Sequence, residues 1–507
     1  MTMIGRRAFL AMTTIAALAG GAGLAVADTP SALTITTRQG RIRGRSVGGI
    51  RVFTGIPYGR AARFTAPQPA APWPDIYDAT RPAAVAPQLP GMAKYDGVMS
   101  EDCLQLNVWA PADAGPHPVL VYVHGGGNET GWSGDPGTAG DRFAAHGTIC
   151  VTVNYRVGAL GFLETGGLLG RAYAGSANNG MLDLVLALRW VRANIAAFGG
   201  DPARVTIAGE SAGGKNVGTL LGMPMADGLY HGAALFSGGA QTVHTPDEAQ
   251  AFARVFAEKL GGAERLATAP VEAILAAQAA ARGAWPRNFP FRPMVDGRTL
   301  PSVPLARIRA GGGPRVPMMI GSNADESRLF LPPALAAGSL QERSLSNETM
   351  ARVTALDAAY ARAFPDLSGA ERHWRLLTAE EYSMPCQRIA EAHAARGAPV
   401  YRYRWTYPAP GGPFAGHSPH VVDVPFTFDH VANPGFTAFF GLSAADRPMA
   451  DAVHQAMVQF VRNGRPTATG LPVWDRYDAK GRRTMIMAHP PVMARDPDQV
   501  ERLLWAA

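Results

Sequence analysis

Cysteine is scarce, with three in 507 residues. Three thiols cannot build a disulfide framework, and the spacing of Cys103, Cys150 and Cys386 fits no zinc site. Lysine is almost as rare: Lys94, Lys215, Lys259 and Lys480, against a Lys+Arg total of 47. The formal charge of +7 therefore rests on scattered arginines, with no basic block of the kind that grips nucleic acid. No segment supplies the ~20 consecutive apolar residues of a membrane span. Charged residues are only 17% and hydrophobic ones 47%, so the chain can bury a sizeable core and is not a disordered one. Gly (58) and Pro (41) make it rich in loops without any collagen-like period.

The N-terminus reads as a targeting segment. Arg6-Arg7 supplies the positive region, Ala8 to about Leu18 the apolar stretch, and Ala25-Val-Ala27 a small-x-small cleavage site. The paired arginines before Ala8-Phe-Leu10 follow the twin-arginine pattern. The expectation is a signal peptide over 1–27, cleaved after Ala27, and a periplasmic or secreted product over 28–507. Folding in the cytoplasm before twin-arginine export also suits three unpaired thiols.

Beyond the leader, short apolar runs alternate with helical patterns. Val119–Val123, Ile149–Val153, Val205–Ile207, Ala233–Phe236 and Pro317–Ile320 read as buried strands. Leu182 to Phe198 carries apolar residues at helical spacing and stops at Gly199-Gly200. Strands separated by helices imply a large, mostly parallel α/β sheet flanked by helices. Leu33 to Val52 reads as a small antiparallel extension. The Ala-rich stretches 245–285 and 333–397 read as helical excursions. On size and composition alone, a sheet core with a helical cap would be expected.

Val205 to Gly214 carries the chemistry. Gly209-Glu-Ser211-Ala-Gly213 follows a strand and precedes a helix-compatible run, which is the context of a nucleophile elbow. A Ser on so sharp a turn needs neighbours without side chains, hence Gly209 and Gly213. The helix N-terminus then offers amides to developing negative charge.

These residues, with Phe198-Gly-Gly-Asp-Pro202 before them, resemble the type-B carboxylesterases, the family that includes the cholinesterases. Glu101-Asp-Cys-Leu104 with Asn107-Val-Trp109 looks like the family's second signature. Phe53-x-Gly-Ile-Pro-Tyr58, Arg63-Phe64 and Pro72-Trp73 are similar to its N-terminal part, and Asn154-Tyr-Arg156 with Gly161-Phe-Leu163 to its centre. Phe460-Val-Arg-Asn-Gly464, Pro472-Val-Trp474 and Asp496-Pro497 resemble its closing elements. The resemblance spans about residues 33–505 and implies a single α/β-hydrolase domain, which overrides the two-part expectation.

It also implies the site. Ser211 would be the nucleophile. The oxyanion hole would be built by the amides of Gly126 and Gly127, in the His124-Gly-Gly-Gly127 turn after strand 119–123, and of Ala212. Glu326 would be the triad acid, in Gly321-Ser-Asn-Ala-Asp325-Glu326, in preference to its neighbour Asp325. His420, spaced correctly to Asp423 and Phe428, would be the base in preference to His417, and His430, His454 and His489 match nothing. Asn128 stands where the family usually has an aromatic, which suggests a more polar pocket wall. Glu210 either acts on the field around His420 or is a buried structural carboxylate. Lys215, where the family tends to have small residues, is either a salt-bridged structural lysine or a contact for anionic substrates. Ala86-Pro-Gln88 stands where many members have the partner of Cys103, so all three cysteines are expected as buried thiols. Ala93 replaces the Trp with which cholinesterases hold quaternary ammonium, which argues against choline esters.

The expected activity is carboxylic-ester hydrolysis on a small-molecule substrate through an acyl-enzyme, with no metal or cofactor. An amidase or carbamate hydrolase would use the same residues. A non-catalytic adhesion relative is the rival from another class, opposed by the complete set of Ser211, Glu326 and His420. The sequence leaves the oligomeric state open.

Overall fold

The computed structural model describes residues 31–91, 95 and 97–506. The leader read at 1–27 and Ala93 lie outside these residues. The strands are β1 (Ser31–Thr37), β2 (Gly40–Val47), β3 (Ile50–Pro57), β4 (Gln105–Pro111), β5 (His117–Val123) and β6 (Ile149–Val153). They continue with β7 (Gly200–Glu210), β8 (Gly232–Phe236), β9 (Met318–Asn323), β10 (Val400–Trp405), β11 (Arg483–Met487) and β12 (Val492–Arg495). All belong to one 13-stranded sheet in the order β1-β2-β3-β4-β6-β5-β7-β8-β9-β10-β11-β12, with the short strand Tyr77–Asp78 beside β2. The run from β6 to β11 is parallel, and antiparallel strands close both edges.

The central strands read as continuous apolar runs because helices cover both their faces. β6 and β8 are buried along their whole length. The five strands expected from sequence are present, and β7 is longer than its apolar run because a register shift lets it continue past Gly200. The expected helix is α1 (Asn179–Asn194), whose last turn tightens over Ile195–Phe198 and ends on Gly199 at φ +80°. The opening strands β1–β3 pair antiparallel as expected.

The two helical excursions differ. Helices α3 (Pro246–Leu260) and α4 (Val271–Ala284), placed after the nucleophile helix α2 (Ala212–Leu220), bury Phe252, Phe256 and Ile274 in the same apolar cluster as Val205 and Ile207 of β7. Helices α5 (Met350–Ala363) and α6 (Gly369–Thr378) gather a smaller cluster of their own around Val353, Tyr360 and Leu376. A π-helical turn, Ala379–Ser383, then leads into α7 (Met384–Ala394). Among the described residues no helix is long and apolar enough to cross a membrane.

This topology fixes where a site can form. From β5 the chain turns one way to β6, and from β7 the other way to β8, so a crevice opens beyond the ends of β5 and β7. Gly209 lies opposite Val123, which brings the turns after both strands to one level.

Candidate active site

Ser211 follows the last residue of β7 and precedes the first of α2. Its backbone is at φ +56°, ψ −123°, a conformation that costs a non-glycine residue on the order of 1–3 kcal/mol. The surroundings hold it there. Its N–H donates to Phe236 O at 2.9 Å. The turn closes so tightly that a Cβ on Gly209 would lie 2.4 Å from the Gly213 carbonyl carbon, and one on Gly213 would lie 2.1 Å from Val123 O. Both glycines are therefore steric requirements, as the motif implies.

The acid side is assembled from three strand ends. Glu326, three residues past β9, is fully buried. Its Oε1 accepts from the Asn323 amide at 2.7 Å and the Ser237 hydroxyl at 2.5 Å, and its Oε2 lies 2.5 Å from His420 Nδ1. Ser237 follows β8, itself at φ +51°, and its N–H donates to Gly321 O at 2.8 Å. His420 stands on the loop after β10, pinned by Asp423. That carboxylate accepts from Tyr403 Oη at 2.8 Å and Asn323 Nδ2 at 3.2 Å. Burial, then the charge of Glu326, raises the Asp423 pKa to about 6.

The other imidazole nitrogen, Nε2, lies 3.1 Å from Glu210 Oε1. Ser211 Oγ makes no hydrogen bond to a described residue, so the serine–imidazole link is not closed in this arrangement. Such contacts are commonly long before substrate arrives. Burial alone would lower the His420 pKa, but the carboxylates of Glu210 and Glu326 outweigh it and raise it. Burial also raises the Glu210 pKa, against the pull of His420.

The glycine turn faces the serine from the end of β5. A Cβ on Gly125 would lie 3.1 Å from Ser211 Cβ. Gly126 and Gly127 adopt φ +104° and +66°. Among the described residues, the amides of Gly126, Gly127 and Ala212 donate to no carbonyl and no side chain. His124 anchors the turn. Its ring stacks on Tyr155 at 4.5 Å, and burial lowers its pKa to about 4, so it stays neutral. The Tyr155 hydroxyl donates to His124 O at 3.0 Å.

Asn128 does not make a polar pocket wall. It is turned inward, its Nδ2 donating to Phe291 O at 3.1 Å and its Oδ1 accepting from Asn216 Nδ2 at 2.9 Å. Both ends are spent on tying the glycine turn to α2 and to the chain beyond α4. The aromatic surface comes instead from elsewhere: a Cβ on Gly127 would meet the Phe289 ring at 3.1 Å. Phe289 packs edge-on against Phe330, which lies 5.0 Å from the His420 ring, and Tyr382 lies 4.8 Å from it.

Lys215 is a buried, paired lysine. One turn from Ser211, it donates to Glu381 of the π-helical turn. Its Nζ lies 5.2 and 5.1 Å from the ring centroids of Phe289 and Tyr382. Burial, then the charge of Arg292, lowers its pKa to about 7. The alternative candidates for acid and base pair with each other: His417 Nδ1 lies 4.0 Å from Asp325 Oδ2 at the surface. His430 pairs with Asp141, and His454 bonds Thr427 O. The three cysteines are buried and free, and burial raises Cys103 and Cys386 to about 12. Sequence reasoning missed Ser237, Phe289, Phe330, Glu381 and Tyr382. Only Ser237 left a trace, a hydroxyl directly after the strand next to the nucleophile strand.

A serine on a strained strand–helix turn, facing unspent amides at a sheet switch point, with a buried Glu–His pair beside it, defines an α/β-hydrolase. Residues 31–505 match the carboxylesterase family, and the chain belongs to it. It is a carboxylic-ester hydrolase by that membership. It is 32% identical to the para-nitrobenzyl esterase of Bacillus subtilis, over 92% of this chain and 97% of that protein. It is 30% identical to the fumonisin B1 esterase of Sphingopyxis macrogoltabida, over 88% and 84%. Among solved structures, a PNB esterase superposes with a TM-score of 0.82 at 30% identity, covering 94% of this chain and 100% of that one. A Geobacillus stearothermophilus carboxylesterase gives 0.80 at 34%, covering 93% and 99%.

Proposed function

We propose that the chain cleaves esters through a Ser211–His420–Glu326 triad and an acyl-enzyme. The observation that carries this reading is the set of unspent amides on Gly126, Gly127 and Ala212 around a serine held at φ +56°. His420 accepts the Ser211 proton as Oγ attacks the ester carbonyl, and Glu326 orients the ring and balances its charge. The carbonyl oxygen becomes an oxyanion between the three amides. Collapse of that intermediate expels the alcohol, which takes the proton from His420. Water repeats the sequence and releases the acid.

The test is Ser211→Ala with a chromogenic ester. It should lose on the order of 10⁴–10⁶-fold in kcat, and a serine-reactive phosphonate should label wild type alone. Full turnover by the variant would overturn the reading. A relative named probable N-octanoylanthranilate hydrolase, from Rhodococcus erythropolis, is 34% identical over 420 residues, so anilides belong beside esters in the panel. Export through the leader at 1–27 is proposed as well. Replacing Arg6-Arg7 by Lys-Lys should hold the protein in the cytoplasm, and normal export would refute the twin-arginine assignment.

A further inference from the structure

A cavity of about 240 Å³ lies along the segment that follows α4. Val243 and Trp285 give it an apolar side, Arg287 and Arg292 positive charge, and Glu248 and Glu348 negative charge. Arg292 is only 6% exposed. Its guanidinium donates to Phe289 O at 2.7 Å, Ser346 O at 2.7 Å and Asn288 O at 2.8 Å, all carbonyls. It forms no ion pair with a described residue, and two of its five N–H donors are left over. Arg287 makes neither an ion pair nor a side-chain hydrogen bond with a described residue.

The acids nearby are committed elsewhere. Glu248 caps α3 through the Thr245 amide at 2.9 Å, and its other neighbour is His244 at 3.8 Å. Glu348 pairs with Arg352 at 3.4 Å and Arg388 at 3.6 Å. Glu380 accepts the amides of Ser346, Asn347 and Glu348. Two guanidinium groups without an ion pair to a described residue thus share the cavity with Glu248 and Glu348, whose carboxylates are held by other groups. Burial draws Arg292 down to about 10, against the pull of Glu380, with smaller opposing contributions from Arg287 and Glu248. An anion entering the cavity would take up the free Arg292 donors and meet the unpaired Arg287.

We propose that this cavity is a binding site for a small carboxylate with a short apolar body, held by Arg287 and Arg292 with its body against Trp285 and Val243. Planar guanidinium groups match the two oxygens of a carboxylate, and the volume accommodates an aryl or short alkyl acid. Two sources share this chemistry: an acid released by hydrolysis, and the free carboxylate arm of a bound ester. Either would press on the segment carrying Phe289, because the innermost arginine grips the Phe289 and Asn288 carbonyls.

The experiment is calorimetric titration of the whole protein with benzoate and with its neutral isostere benzamide. Benzoate should bind at one site per chain and benzamide should give no comparable heat. Arg287→Met, which breaks no hydrogen bond, should weaken benzoate on the order of tenfold or more. Protein whose serine carries a small phosphonate should bind benzoate as wild type does, because Ser211 does not line the cavity. Binding uses no turnover, so failure of the triad would leave this result standing. Kinetics with para-nitrophenyl acetate and the mono-succinate ester separate the two sources. Selective loss of succinate-ester kcat/KM in Arg287→Met marks the ester arm, and a change confined to inhibition by benzoate marks the released acid. Equal binding of benzoate and benzamide, unchanged affinity in Arg287→Met, or loss of binding on blocking the serine would each overturn the proposal.

Discussion

Gly213→Ala puts the elbow's geometry to a quantitative test. The added methyl would sit 2.1 Å from Val123 O and 2.6 Å from His124 O. A carbon–oxygen contact is comfortable from about 3.3 Å, so these carbonyls or the start of α2 must yield by about 1 Å. Both carbonyls lie directly before the turn that carries the Gly126 and Gly127 amides. The displacement therefore separates those donors from Ser211, whichever side moves. A misplacement of that size costs about 10²-fold in rate, and overpacking costs about 1–3 kcal/mol of stability. The measurement is kcat on a chromogenic ester, with near-ultraviolet circular dichroism to confirm the fold. Gly167→Ala is the control, because a Cβ there meets nothing within 4 Å. It should behave as wild type. A folded Gly213→Ala enzyme whose kcat stays within about threefold of wild type would sink the argument that backbone contact positions the amides.

The base assignment predicts that His420→Ala falls on the order of 10⁴-fold or more in kcat, while His417→Ala stays within about tenfold. A dead His417→Ala beside an active His420→Ala would reverse the assignment. The Glu210 contact predicts a shift in pH dependence. His420 must be neutral to accept a proton, so activity rises with pH through its pKa, and the carboxylates beside it raise that pKa. Glu210→Gln removes one of them and should move the acid limb of kcat/KM toward lower pH. A limb that stays in place or moves upward contradicts the reading.

The parallel core was legible because β5 beyond His117, β6 apart from Thr152, and β8 are apolar runs, a pattern that follows directly from burial on both faces. β10 was not. Val400-Tyr-Arg-Tyr-Arg-Trp405 puts Arg402 at a position only 3% exposed, where its charge is met by Asp498 Oδ2 at 2.6 Å. A partner 96 residues away leaves no local signal. The same holds in the site. Ser211 stood in a strand–turn–helix motif, and Glu326 and His420 were legible through the family resemblance of their segments. Ser237, Phe289 and Tyr382 belong to the site only because separate chain segments converge there. Asn128 was misjudged because its residue type says polar, whereas its inward rotamer, bonded to Phe291 and Asn216, says scaffold.

The π-helical turn Ala379–Ser383 holds one residue more than an α-helical path would. It lets Glu380, Glu381 and Tyr382, three consecutive side chains, reach the 346–348 loop, Lys215 and the His420 ring. In genetic terms it is one codon's worth of chain. Removing that residue would restore an ordinary helix and swing the neighbouring side chains about 100° around its axis. Lys215 would lose its counterion and His420 its aromatic neighbour in one step. A shift of pocket chemistry therefore need not pass through a series of point substitutions. One deletion in a helix far from the nucleophile in sequence rewrites the wall facing it.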